Sequence, residues 1–371
     1  MESVPGVPGH AGAALSAQLL ASDGGALVAK VNPFYRVPRN PCDRIESTYG
    51  VGNNLLKNSW LGFYASIWPS YQALNAFLLT SLLPGQARCM RDFEATLTAI
   101  DDNYWAHGLA GLPAAYDQGP APLHFPGDLP RVDDSMWMGV SLMQAYDRTG
   151  SESFLRRAEA VFALARANWD PLRGGIYWEY HAPGATNLEK AVASNAPAAA
   201  VALGIYRATG NPMYLRWGEK IVRWLHSHLM DRRTGLYDDH VIDSRLPPVI
   251  GHAKYTYNQG IMVGVLAMLS TVSPGTYPLT DAVSLARRAM EYFRSHRSYR
   301  NPGFDLVWAQ NLLWTAGLYH QASFTAEARA SLRAAIRAEP RNPGSLLEFA
   351  SGIGLRALFE LPPKDYGLLA P

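Results

Sequence analysis

Residues Tyr146–Arg156 read YDRTGSESFLR and residues Tyr206–Arg216 read YRATGNPMYLR, one pattern displaced by 60 positions. The displacement persists downstream. Apolar residues step through Leu155, Ala158, Phe162, Ala165 and Trp169, and again through Leu215, Gly218, Val222, Leu225 and Leu229. Steps of three and four keep one face of an α-helix apolar. GIY at Gly175–Tyr177 returns as GLY at Gly235–Tyr237. Each unit therefore reads as a helix, a Thr-Gly turn, a second helix and a Gly-marked loop. The glycine after each first helix suits a left-handed C-terminal cap. One helical hairpin cannot bury its apolar face alone, so the repeat implies hairpins stacked side by side.

The pattern extends in both directions. Strongly apolar inner helices are predicted to begin near Trp68, Asp133, Asn195, Asn258, Asp305 and Leu346. Amphipathic partners are predicted near 45–64, 88–100, 152–168, 213–230, 280–296 and 324–337. Six inner and six outer helices make an all-α protein with the count of an (α/α)6 barrel. An open solenoid is the alternative, because a sequence does not display ring closure. Residues 1–42 read as an irregular arm and 43–371 as a single barrel domain, with no composition break between hairpins. Short strands are allowed in the loops near Tyr177 and Tyr237.

Composition narrows the function classes. The chain of 371 residues is 48% hydrophobic and 17% charged, enough to bury a large core. Its net charge of +2 gives no bulk attraction to nucleic acid. No run approaches the roughly 20 apolar residues of a membrane helix. The N-terminal stretch lacks the basic start of a signal peptide, which favours an intracellular location. Cys42 and Cys89 are too few for a disulfide scaffold, and whether they pair stays open. No histidine spacing suits a metal, and no phosphate loop or dinucleotide fingerprint occurs, so neither metal nor cofactor is expected.

Polar residues gather where the inner helices begin: Asp133-Asp134, Ser194-Asn195 and Asn258-Gln259. Helix capping accounts for any one of them. Their company of aromatics points further. Trp68 opens the first inner helix, Trp137 lies a turn beyond the aspartates, Tyr177-Trp178 follow Gly174-Gly175, and Tyr257 precedes Asn258. Aromatic faces beside carboxylates and amides suit a sugar, whose C–H faces stack while its hydroxyls need directional partners. Asp238-Asp239-His240 reads as a solvated turn or as a further sugar contact.

The blocks VDDSMWMGVSLMQAYDRTG, GGIYWE, ASNAPAAAVALGIYRATGNPMYLRWGEKIVRWL, GLYDDHV and YTYNQG resemble, in order and spacing, glycoside hydrolase family 76. The resemblance runs from about Trp60 to Leu361. It implies an (α/α)6-barrel enzyme acting with retention on α-1,6-linked mannan or mannooligosaccharides. It makes Asp133 the nucleophile and Asp134 the general acid/base. The implied carbohydrate contacts are Trp68, Trp137, Tyr177, Trp178, Asn195, Asp239, His240, Tyr257, Asn258 and Gln259. Departures fall at Met138, Ala191, Tyr255 and Asp305, which touch sugar contacts more than the catalytic pair. Asp101-Asp102 has the same D-D-x-x-W spacing, but the Gly- and Pro-rich segment after it does not suit an inner helix. An alternative is the same scaffold reused as an acid-catalysed cyclase or isomerase of small molecules, since fold alone does not choose. Oligomeric state is not encoded in these patterns.

Overall fold

The computed structural model describes residues 41–49, 55–57, 64–106, 113–120, 130–181, 187–244, 246–296, 301–320, 322–341 and 343–371. Among them twelve α-helices alternate between an inner and an outer layer. The inner helices are α2 (Ile67–Thr80), α4 (Val132–Thr149), α6 (Val192–Thr209), α8 (Thr256–Val272), α10 (Pro302–Tyr319) and α12 (Leu346–Glu360). The outer helices are α1 (Pro41–Tyr49), α3 (Arg88–Tyr104), α5 (Glu152–Ala167), α7 (Pro212–His228), α9 (Leu279–Ser295) and α11 (Ala322–Ala338). Each inner helix packs on the next, and α12 packs back on α2, so the ring closes. The open solenoid is thereby excluded. Among the described residues no helix is long and apolar enough to cross a membrane.

Burial explains the two layers. Inner helices such as α6 are buried on nearly every side, whereas α5 and α7 bury one stripe and leave charged residues outside. The 60-residue repeat is reproduced bond for bond. Gly150 and Gly210 have φ of 67° and 68°, and their N–H groups each donate to a tyrosine carbonyl, Tyr146 and Tyr206, at 2.8 Å. Thr149 and Thr209 hydroxyls donate one turn back to Ala145 and Ile205, again at 2.8 Å. Arg207 and Asp147, also 60 apart, pair at 2.6 Å and join the two units.

Two expectations change at the N-terminal side. The first outer helix was expected over 45–64 but runs from Pro41 to Tyr49, starting two residues before the expected arm boundary. Lys57 and Tyr64 then form an antiparallel bridge, so the chain is extended there. The expected arm otherwise lies outside the described residues. Cys42 and Cys89 form a disulfide with Cα atoms 5.6 Å apart, tying α1 to α3.

Each outer helix returns the chain, so the inner helices run parallel and their N-termini meet at one end. The loops entering α6 and α8 carry a small sheet at that end. It consists of β3 (Glu189–Ala191), β6 (His240–Ile242) and β7 (Val249–Gly251), antiparallel in that order. Two short hairpins accompany it, β1 (Trp105–Ala106) with β2 (Ala115–Tyr116) and β4 (Met230–Asp231) with β5 (Leu236–Tyr237).

Candidate active site

The entry to α4 is extended and joins this sheet. Arg131 bridges Glu179, Val132 N–H donates to the Trp178 carbonyl at 3.0 Å, and Tyr180 N–H donates to Pro130 at 3.1 Å. Trp178 N–H in turn donates to Glu189 at 2.9 Å. A backbone apron therefore runs from residue 130 through 178–180 to β3, β6 and β7. It also replaces helix capping. The first N–H of α4 bonds Trp178, and that of α6, Val192, bonds the Asp239 carbonyl at 2.9 Å. With those donors satisfied, Asp133 and Asp134 are not caps; they sit inside the first turn with their side chains available.

Each carboxylate is held by one donor from outside α4. The Trp178 indole Nε1–H donates to Asp133 Oδ2 at 2.7 Å, and Gln118 Nε2–H donates to Asp134 Oδ2 at 2.7 Å. Asp133 Oδ1 is buried with no hydrogen-bond partner. Burial raises the pKa of both groups, and the neighbouring Asp134 charge lifts Asp133 further. Trp178 and Arg131 oppose the rise at Asp133, as Gln118 and Arg131 do at Asp134. Two adjacent carboxyls in this setting titrate as a pair.

Aromatic rings from four inner-helix N-termini pack around the axis. Trp68 of α2 meets Trp137 of α4 at 5.6 Å, Tyr257 of α8 at 6.1 Å and Phe304 of α10 at 6.3 Å between centroids. Phe304 stacks on Tyr257 at 4.2 Å. Trp137 is only 1% exposed and also packs on Tyr71, so it forms the floor below the pair and has no free face for a sugar. Trp68 and Tyr257 are half-buried, and the Tyr257 phenol is pushed up by burial first and then by Asp239, Asp133 and Asp134.

Farther along the apron Asp239 accepts from Asn258 Nδ2 at 2.8 Å and pairs with His240 Nδ1 at 3.0 Å. The Asp239 contact holds the imidazole pKa above its usual value, with Glu189 adding to it against partial burial. Trp68, Trp178, Asp239, His240, Tyr257 and Asn258 are thus gathered with the aspartate pair.

Three further candidates have other work. Asn195 is fully buried and clamps Ile176, accepting its N–H at 2.8 Å and donating to its carbonyl at 3.0 Å. Gln259 treats Tyr237 the same way, at 2.9 and 2.8 Å. Both side chains are fully buried and spent on a loop backbone, so neither presents a group to a sugar. Tyr177 points its hydroxyl to Asp170 at 2.9 Å and stacks on His181 at 4.0 Å. Asp101-Asp102 end the outer helix α3, where Asp101 accepts from Tyr116 and pairs with Arg157. Gln118, Arg131 and Phe304 were not anticipated. Gln118 lies in the Gly- and Pro-rich segment that looked like plain loop, and Arg131 announced itself only by preceding the aspartates. A cavity of about 740 Å³ between α9, α10 and α11, beside Met290, Trp308 and Ala334, has none of the candidate residues in its lining.

Comparisons with known proteins converge on this architecture. The description "Glycosyl hydrolase family 76" matches residues 127–320. Mannan endo-1,6-alpha-mannosidase DCW1 of Candida glabrata is 30% identical over 148 residues, which are 37% of this chain and 33% of that protein. The Saccharomyces cerevisiae mannan endo-1,6-alpha-mannosidase DFG5 is 27% identical over 173 residues, 43% of this chain and 37% of that protein. The chain thus spans about a third of the length of the curated relatives it matches. Among solved structures, a GH76 alpha-mannanase of Bacteroides thetaiotaomicron superposes with a TM-score of 0.75 at 16% identity, covering 85% of this chain and 93% of that one. An alpha-1,6-mannanase of Salegentibacter, an inactive variant with two consecutive aspartates replaced by asparagine and bound to alpha-1,6-mannotriose, has a TM-score of 0.69 at 17% identity, covering 86% and 97%. The family match spans more than half of the sequence and contains Asp133, Asp134 and the apron beside them: the protein belongs to glycosyl hydrolase family 76.

Proposed function

We propose that this protein hydrolyses α-1,6-linked mannan or mannooligosaccharides with retention, using Asp133 as nucleophile and Asp134 as general acid/base. One observation carries the reading: two adjacent buried carboxyls at the mouth of the ring, each with one oxygen held by an external donor. Retaining hydrolysis asks for two carboxyl groups about 5–5.5 Å apart, one to attack the anomeric carbon and one to protonate the leaving oxygen. The positive end of α4 favours a charged nucleophile there. Gln118 occupies Asp134 Oδ2, which leaves Oδ1 to carry the proton. The names of the yeast relatives and of the Salegentibacter mannotriose complex support the substrate class. The polar, half-exposed rim of Trp178, Asp239 and His240 suits an oligosaccharide better than a closed apolar chamber, which disfavours the cyclase or isomerase reading. The Cys42–Cys89 disulfide supports an oxidising compartment, against the intracellular expectation.

Incubation with α-1,6-mannotriose, α-1,6-mannotetraose and debranched α-1,6-mannan, followed by product analysis, tests the reading. Asp133→Asn should lower activity on all substrates by roughly 10³-fold or more, and Asp134→Asn should do so on the natural linkage. An aryl α-mannoside with a good leaving group should recover the first step in Asp134→Asn only, and azide should then trap a glycosyl azide of retained configuration. Wild-type-like mannanase activity in either variant overturns the roles. A folded protein with no activity on any α-mannoside overturns the function.

A further inference from the structure

The role of Asp133 poses an electrostatic problem. Resting on the reading of Asp133 as nucleophile, the group must be ionised to attack, yet burial and the Asp134 charge both favour its protonation. The first turn of its own helix offers no cation. From the apron, however, Arg131 lays its guanidinium over the Trp178 ring, 4.3 Å from the centroid. The Nε1–H of that indole donates to Asp133. Backbone pairing fixes this geometry, since Arg131 bridges Glu179 and Val132 bonds the Trp178 carbonyl. Glu179 Oε1 accepts from Arg131 Nη1 at 2.7 Å and steers the guanidinium into place.

We propose that Arg131 is a positioning residue that acts through the Trp178 indole, strengthening its hydrogen bond to Asp133 and so holding Asp133 as the attacking carboxylate. An indole N–H only donates, so its bond stabilises the anion and not the acid. A cation on the ring face draws electron density from the π system and makes that N–H a stronger donor. Arg131 also lowers the Asp133 pKa directly through space, and the indole adds a directional route to that effect. The other groups around Asp133 are Asp134 on α4, with Gln118 from the segment after β2 on its far side, and Tyr257 of α8 with Asp239 behind it. Glu189 of β3 and His240 of β6 stand farther along the apron. In the glycosylation step a lone pair of Asp133 forms the bond to the anomeric carbon. The glycosidic C–O bond breaks, and the Asp134 proton passes to the leaving oxygen. A proton resting on Asp133 blocks the attack and empties the acid of its purpose.

The test uses the full chain with Arg131→Met, Arg131→Lys, Trp178→Phe and the double variant Arg131→Met/Trp178→Phe. Two readouts are taken: the pH dependence of kcat/KM on α-1,6-mannotriose, and the carboxyl ¹³C titration of labelled aspartate, which needs no activity. Arg131→Met and Trp178→Phe should each move the acid limb, and the Asp133 titration, upward by about one pH unit. Arg131→Lys keeps the cation and should restore most of the shift. The double variant should move by less than the sum of the two singles, because the part of the Arg131 effect that passes through the indole is already lost in Trp178→Phe. An unmoved limb in folded Arg131→Met, even with a lower kcat, overturns the proposal by reducing Arg131 to a loop anchor. A double variant whose shift is the sum of the two singles overturns it in favour of a through-space charge. If the wild type cleaves no α-mannoside, the function has failed separately, and the ¹³C titration still decides the inference.

Discussion

The loops that enter α6 and α8 are two versions of one device, and they differ in what they deliver. Each begins with an aspartate that ends the preceding outer unit, Asp170 or Asp231. Asp170 accepts the N–H groups of Leu172 and Arg173, and Asp231 accepts those of Arg233 and the Thr234 hydroxyl. Each receives a buried lysine from two residues before the next inner helix: Lys190 bonds Asp170 and Asp243, and Lys254 bonds Asp231 and Asp238. An amide of the inner helix then clamps the loop backbone, Asn195 on Ile176 and Gln259 on Tyr237. The first loop, 168–191, is three residues shorter than the second, 229–255, and has two left-handed glycines, Gly174 and Gly175, where the second has Gly235. It carries Trp178 to Asp133, whereas the second carries Asp239 to Asn258 and His240 beside Glu189. The shared parts build the scaffold; the unshared parts reach the pair.

Removing the lysines should break this equivalence most severely. Lys190→Met leaves Asp170 and Asp243 as buried unpaired charges and should cost about 3–5 kcal/mol of stability in denaturant titration. Lys254→Met should cost less, because the Asp231 side chain is 20% exposed against 5% for Asp170. Equal losses would mean that the two lysines are interchangeable. The clamps come next. Asn195→Leu and Gln259→Leu each abandon a buried N–H and a buried carbonyl, at about 1–3 kcal/mol for each group left unpaired. Asn195→Leu should also lower mannanase turnover more than Gln259→Leu, since Trp178 lies two residues from the clamped Ile176. A reversed order would separate Trp178 from the chemistry.

Acid should affect both loops alike. Their turn and lysine bonds hold the Asp170 and Asp231 carboxyls down to about 2, below the ordinary 3.8. A depressed carboxylate contributes stability above its unfolded pKa and loses it as pH falls through the folded one. Both loops should therefore loosen between about pH 4 and 2, followed by the fluorescence of Trp178 and Trp224. The smallest contrast lies at the two Thr-Gly turns. Asn211 caps α7 by accepting Met213 N–H at 3.0 Å, while the Ser151 hydroxyl bonds Ser153 and caps nothing. Asn211→Ala should cost about 1 kcal/mol and Ser151→Ala close to none, read from thermal melts.

Helix count, the repeat and the position of the aspartates were legible in the sequence, because helical spacing and Thr-Gly turns are local properties. The ends of α4 and α6 were legible for the same reason, as a left-handed glycine requires no distant partner. Ring closure was not, since α12 meets α2 across nearly the whole chain. Nor was the difference between Asn258, which reaches Asp239, and Gln259 beside it, which is spent on Tyr237. Neighbours on a helix point about 100° apart, so one can face a cleft while the next serves the wall. Gln118 and Arg131 acquire their roles from partners brought near by the fold. Sequence determined which segments are helices and which carboxyls stand together. Tertiary structure decided which side chains those carboxyls meet, because hydrogen-bond donors are assigned by distance in space, not by spacing along the chain.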